Sequence, residues 1–147
     1  MKIVQKIAII GSRKYGNEEA VRTFVRAMSP DTNVLISGGA IGVDTWAADE
    51  FRKMGGRVVE IRPNYNKFGR GAPLKRNTEI VLGADDVVGF WDEESTGTLD
   101  TLTKALKMGK PLAVFGSAGE LLGNVSEAVA ASIRGKKRPA MAIPKGG

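Results

Sequence analysis

Apolar residues along this chain fall into two alternating rhythms. Short continuous runs end at glycine or proline, and longer stretches place apolar residues three and four positions apart. Lys6-Ile7-Ala8-Ile9-Ile10, Asn33-Val34-Leu35-Ile36-Ser37, Arg57-Val58-Val59-Glu60-Ile61, Asp86-Val87-Val88-Gly89-Phe90-Trp91 and Pro111-Leu112-Ala113-Val114-Phe115 are runs of the first kind. Bounded by breakers, they predict strands buried on both faces. Stretches of the second kind predict helices over 17–28, 42–54, 74–82, 98–108 and 120–133. The first has Asn17 as a cap, Glu18 and Glu19 at the positive end, and Ala20, Val21, Phe24, Val25 and Met28 on one face. Residues 62–73 hold Pro63, Asn64, Asn66, Gly69, Gly71 and Pro73 and predict a long polar loop.

Strands alternating with helices define the α/β class, with a parallel sheet covered on both faces. Right-handed crossovers favour a Rossmann-like three-layer sandwich whose five strands take the order 3-2-1-4-5. Residues 1–133 read as one such domain and 134–147 as a basic, flexible tail.

Composition narrows the chemistry. With 147 residues, 42% of them apolar, the chain suits a single globular domain. Its apolar runs are too short for a membrane-spanning helix, and Lys6 interrupts the region where a signal peptide has its apolar core. A cytoplasmic protein without membrane contact is expected. There is no cysteine and no histidine. Disulfides, thiolate sites and His-dependent triads are therefore excluded, and no metal or cofactor is expected.

The formal net charge of +6 is unevenly placed. Residues 134–147 hold five basic residues and no acid, 57–78 carry a local +5, and 79–100 a local −7. The tail suits nucleic acid by counterion release and equally suits a solvated terminus.

In a doubly wound sheet, ligands bind beyond the carboxyl ends of the strands, at the switch point between the first and fourth. The first loop there is Gly11-Ser12-Arg13, offering a tight turn, a hydroxyl and a forked cation. The second runs Ser37-Gly38-Gly39-Ala40-Ile41-Gly42-Val43-Asp44, with three glycines at a helix start, where free amides favour an anion. Asp44 can cap that helix or hold a ribose or a backbone amide. Arg76, Asn77 and Glu79 belong to the helix before the fourth strand. After that strand, Ser95, Thr96 and Thr98 surround Gly97 at another helix start, a second potential anion cradle across the switch point. Each loop alone also fits plain turn formation or helix capping. Trp91 fits core and rim packing equally well, with stacking on a base as the less favoured reading, and Asp92, Glu93 and Glu94 read as a solvated acidic loop.

Gly11-Ser12-Arg13, Ser37-Gly38-Gly39-Ala40-x-Gly42-x-Asp44, Arg76-Asn77-x-Glu79, Phe90-Trp91-Asp92-x-x-Ser95-x-Gly97-Thr98 and Gly109-Lys110-Pro111, in this order, resemble the SLOG superfamily. That superfamily joins the DNA-processing protein A proteins with the Lonely Guy proteins. The nearest resemblance is to its small group related to YpsA and YAcAr. It implies a Rossmann-like fold and a pocket for nucleotides, nucleotide-derived signals or nucleic-acid phosphates. Lonely Guy enzymes cleave nucleoside monophosphates with an arginine, matched by Arg76, and a glutamate, whose position holds Thr101. Asp100 stands one residue early, about 100° round a helix, so phosphoribohydrolase activity is disfavoured.

The leading expectation is a binding protein for a nucleotide or nucleotide-derived small molecule. Its phosphate would lie between 38–44 and 95–98 and be neutralised by Arg13 and Arg76. Single-stranded DNA binding along Arg13, Lys14, Arg70, Lys75 and Arg76 is the second expectation, and N-glycosidic hydrolysis the third. Arg76→Ala is expected to weaken binding with little loss of stability. The resemblance also suggests a homo-oligomer, formed through exposed apolar surface from Trp91 and the last helix.

Overall fold

A computed structural model of the protein describes residues 4–122. Five strands form one parallel sheet: β1 (Gln5–Gly11), β2 (Asn33–Ser37), β3 (Arg57–Glu60), β4 (Asp86–Phe90) and β5 (Leu112–Phe115). The order is β3-β2-β1-β4-β5, as the crossover rule predicts. β1 is central, pairing Ala8 with Ile36 on one side and with Val87 on the other.

The helices are α1 (Glu18–Arg26), α2 (Val43–Lys53), the single turn α3 (Tyr65–Phe68), α4 (Ala72–Gly83) and α5 (Thr96–Lys107). β1 turns inward at both faces, which divides the core in two. Ile9, Leu35, Val88 and Phe90 pack with Val21, Val25, Ala47 and Phe51 of α1 and α2. Ala8, Ile10, Ile36 and Val87 pack with Ile80 and Val81 of α4 and Leu102 and Ala105 of α5. Alternate residues of one buried strand thus serve opposite layers. Asn17 caps α1 by accepting from the amide of Ala20 at 3.1 Å, as its position predicts.

The structure departs from the sequence pattern at several places. β3 is an edge strand with Arg57, Val59 and Glu60 exposed, so it is not buried on both faces. Residues 62–73 are not a long loop. α3 and a 3₁₀ turn at Gly69–Gly71 fill most of the segment, and α4 begins at Ala72. Pro73 misleads there, because proline lacks only an N–H that the first helical turn does not use. No helix starts at Glu120: Leu121 bridges antiparallel to Phe115, and Leu122 closes the core at 4% exposure. The rest of the predicted last helix and the basic tail lie outside the described residues. Among the described residues no helix is long and apolar enough to cross a membrane.

Candidate functional site

The carboxyl ends of β1 and β4 diverge into α1 and α5, which lie on opposite faces. A cleft of about 540 Å³ opens between them, at the predicted switch point. Gly11 at the end of β1 and Arg13 and Lys14 just after it line one side, and Gly38, Ala40 and Asp44 form the β2–α2 wall. Asp92, Glu94, Ser95, Thr96, Gly97, Thr98 and Thr101 form the wall after β4. The fourth side is one face of α4, with Pro73, Leu74, Arg76, Asn77 and Ile80.

At Gly11 a Cβ would stand 2.5 Å from Val43 Cγ2 and 2.7 Å from the Phe90 carbonyl oxygen. Only glycine lets α2 and β4 close together at that point. At Gly38 a Cβ would meet Arg76 Nη1 and Asp44 Oδ2, each at 2.9 Å. Gly38 is therefore the slot through which a cation from α4 and an anion from α2 approach the same backbone. Gly42 has φ of 84° and supports the turn into α2 beside the Arg13 backbone.

The wall after β4 is tightly built. Ser12 is fully buried; its hydroxyl donates to Asp92 Oδ1 at 3.0 Å and lies 3.4 Å from the Thr98 hydroxyl. Asp92 Oδ1 also accepts from the amides of Glu94 at 2.9 Å and Ser95 at 2.8 Å. Burial pushes the Asp92 carboxyl up, but those two amides and the Ser12 hydroxyl outweigh it and hold the group below its ordinary value. Ser95 caps α5 by accepting from the Thr98 amide at 3.4 Å. A helix start leaves amides without carbonyl partners one turn back, and the helix dipole adds positive potential. Thr96 and Gly97, at the lip of the cleft, carry such amides. A Cβ on Gly97 would meet nothing within 4 Å, so the space beside it is open.

The opposite wall is different. Asp44 Oδ2 accepts from the amide of Ala40 at 3.2 Å, and the amide of Gly38 also stabilises it. The amide of Gly39 donates to Ser37 Oγ at 3.1 Å. Two side chains of the chain itself thus already occupy the glycine-rich amides. Asp44 is 5% exposed, and its Oδ1 has no hydrogen-bond partner. Burial pushes its carboxyl up to about 6, against the Ala40 amide, the Arg76 charge and the Gly38 amide, with Glu60 adding to the rise.

Arg76 Nη1 donates to the Gly38 carbonyl at 2.7 Å and Nε to Asn77 Oδ1 at 3.0 Å. Arg76 therefore holds the loop as well as facing the cleft, and two hydrogen bonds from a charged group speak against the expectation that its removal costs little stability. Asn77 Nδ2 donates to Asp100 Oδ2 at 3.0 Å and to the Gly97 carbonyl at 3.4 Å, which ties α4 to α5. Asp100 also accepts from Lys104 Nζ at 2.8 Å. Thr101, at 2% exposure, donates to the Gly97 carbonyl at 3.3 Å.

Of the residues singled out from sequence, Gly11, Arg13, Gly38, Ala40, Asp44, Arg76, Asn77 and Ser95 to Thr98 line the cleft. Ser12 is buried behind it, holding Asp92, and Ser37, also buried, holds the Gly39 amide and faces a different cavity. Gly39 lies under the Arg62 guanidinium and lines a second, smaller cavity. Glu79 is exposed and lines neither cavity. Trp91 is 1% exposed in the core and donates from Nε1 to the Ser95 carbonyl at 3.2 Å, so it offers neither a stacking face nor an apolar dimer surface. Pro73 and Ile80 were not singled out, although Pro73, Arg76, Asn77 and Ile80 have the i, i+3, i+4, i+7 spacing of one helix face. Starting α4 two residues earlier would have revealed it.

A doubly wound parallel sheet with a polar cleft at its switch point defines a Rossmann-like α/β protein. More specifically, the chain belongs to the SLOG cluster4 family, whose family model matches residues 4–143. Among solved structures, DNA processing protein A from Helicobacter pylori, described for its single-stranded DNA binding mode, is 19% identical. It aligns over 92% of this chain and 83% of that one at a TM-score of 0.65. DNA processing protein A from Streptococcus pneumoniae is 20% identical over 91% of this chain and 58% of that one, at 0.67. TM1055 is 21% identical over 74% of this chain and 72% of that one, at 0.56. At these identities the likeness is one of fold. No curated protein matches the chain.

Proposed function

We propose that this protein binds a nucleotide or nucleotide-derived small molecule in the switch-point cleft. Its phosphate would lie against the start of α5 with Arg13, and the rest of the ligand would reach toward the 38–44 loop and the outer edge of Arg76. One observation carries this reading: the start of a twelve-residue helix, with open space beside Gly97, faces a second built loop across about 540 Å³. That volume falls within the range of small-ligand sites. The amides of Thr96 and Gly97 follow a turn that Asp92 and Ser95 already hold by hydrogen bonds, so they need no rearrangement to meet an anion. The order of the loop motifs supports placing the chain near the YpsA- and YAcAr-related group.

A thermal-shift panel of nucleoside monophosphates, cyclic nucleotides and ADP-ribose-type compounds tests the proposal. A ligand at a hundred times its Kd adds about 2.7 kcal/mol to stability. No salt-tolerant shift with any of them removes the proposal.

Binding of single-stranded DNA is the second reading, favoured by one patch. Lys67 and Lys75 flank the Phe68 ring at 5.2 and 5.9 Å, Arg70 is exposed beside them, and Tyr65 is 59% exposed. Cations with aromatic faces are what single strands use. The likeness to the Helicobacter pylori protein adds support. A stabilising shift given only by an oligonucleotide, and lost steeply on adding salt, would establish this reading instead. Lonely Guy-type hydrolysis has less support, because Thr101 is directed to the Gly97 carbonyl and Asp100 is engaged by Asn77 and Lys104.

A further inference from the structure

We propose that the cleft carries its own anion, Asp44, and that an incoming phosphate ester binds together with a proton taken up by that carboxylate. The inference rests on the cleft being an anion site and adds a condition for its occupation. Three observations converge on it. Asp44 Oδ2 holds the Ala40 amide, which lines the cleft and would otherwise be available to a ligand. Oδ1 is buried and unpartnered, so nothing on that side favours the charged form over the protonated one. The cation beside Asp44, Arg76, donates to the Gly38 carbonyl and to Asn77, with no hydrogen bond to the carboxylate.

A second negative charge in the same partly desolvated cleft is repelled by ionised Asp44. Protonation on Oδ1 removes the repulsion. It also loosens the hold on Ala40, since a charged acceptor binds an amide roughly twice as strongly as a neutral one. Burial already brings the carboxyl to about 6, within reach of a ligand's influence. The other charges around Asp44 do not replace this step. Arg13, Lys14, Asp92 and Glu94 line the cleft with it; Glu94 is exposed to water, and the charge of Asp92 is met by two amides and Ser12, whereas Asp44 Oδ1 has no donor. On the far side, Glu60 is paired with Arg52 and Arg62, and Asp49 with Arg22 and Lys53.

The probe is dimethyl phosphate, whose single charge is constant from pH 5 to pH 8. It is titrated at fixed ionic strength while the amide resonances of Ala40 and Gly97 are followed. The Kd of the native protein is expected to weaken roughly tenfold per pH unit above the Asp44 midpoint, as the competent fraction falls. Asp44→Asn should bind equally well at pH 5 and pH 8. The Asp44 carboxyl carbon of the native protein, which needs no variant, should show its midpoint rise when the probe is bound. Amides that shift with a Kd independent of pH, a slope retained in Asp44→Asn, or an unmoved midpoint would overturn the proton coupling and leave the anion site standing. No shift of either amide at any pH would remove both.

Discussion

At the scale of single residues, two changes separate folding from binding. Gly97 lies in the first turn of α5 with open space where a Cβ would go. Gly97→Ala is expected to leave melting unchanged or raise stability by up to about 1 kcal/mol, from helix propensity. If a phosphate binds at the start of α5, the variant should at the same time weaken ligand binding at least tenfold, because the methyl would occupy the open space beside the Thr96 and Gly97 amides. Calorimetry on one preparation reads both. Asp44 gives the converse case. Its folded pKa of about 6 lies above the ordinary 3.8, so the folded state binds the extra proton between those values. Stability from this group is greatest below pH 3.8 and falls as pH rises to about 6, by about 3 kcal/mol in all. Asp44→Asn should therefore raise the melting temperature at pH 8 and have little effect at pH 4. Equal effects at both would show that the carboxylate is not destabilising.

At the scale of elements, the cleft depends on ties between neighbours. Arg76 links α4 to the β2–α2 loop, and Asn77 links α4 to α5. Arg76→Ala should lower stability by about 1–3 kcal/mol, since it removes two part-buried hydrogen bonds made by a charged group. Arg76→Lys can restore the charge without the forked geometry. If Arg76 acts on ligand only as a charge, the lysine variant keeps affinity while losing stability, which denaturant unfolding and titration together will show. Trp91 is a tie of the same kind. Its Nε1 holds the Ser95 carbonyl, so Trp91→Phe should loosen the start of α5 and speed hydrogen exchange at Thr98 and Leu99, whose amides bond to Ser95. Sequence reading found most of these elements because strands such as Lys6–Ile10 are continuous apolar runs and α1 carries its own cap. It missed the α3–α4 segment because Gly69, Gly71 and Pro73 have local preferences for turns. Burial of Ala72 and packing of Ile80 against the sheet outweighed those preferences.

At the scale of the whole molecule, the cleft joins the two halves of a doubly wound sheet. One wall belongs to β2 and α2, the other to β4 and α5, and β1 alone connects them in the sheet. A ligand held between the walls should protect Ala40 and Gly97 from hydrogen exchange together. Protection confined to one wall would mean that only one loop binds.

The sequence by itself determined the class of fold, the strand order and the place where the sheet opens a cleft. Those follow from apolar periodicity, crossover handedness and the rule that ligands gather where strand connections diverge. It also determined that any chemistry must be done by carboxylates, hydroxyls, amides, lysines and arginines. Only the tertiary structure decided which of those groups remain free. Asp44 lies six residues beyond Gly38 in the chain, yet it turns back onto the loop's amides, while Arg76, far along the chain, closes on the Gly38 carbonyl. Trp91 was equally suited to rim and core until the contacts of β4 and α5 buried it. Local pattern specifies which face of an element is apolar, but the partner of a polar group comes from another element. Hydrogen bonding and burial between elements are therefore what turned a list of polar residues into one wall with amides to spare at Thr96 and Gly97 and one whose glycine-rich amides the chain itself holds.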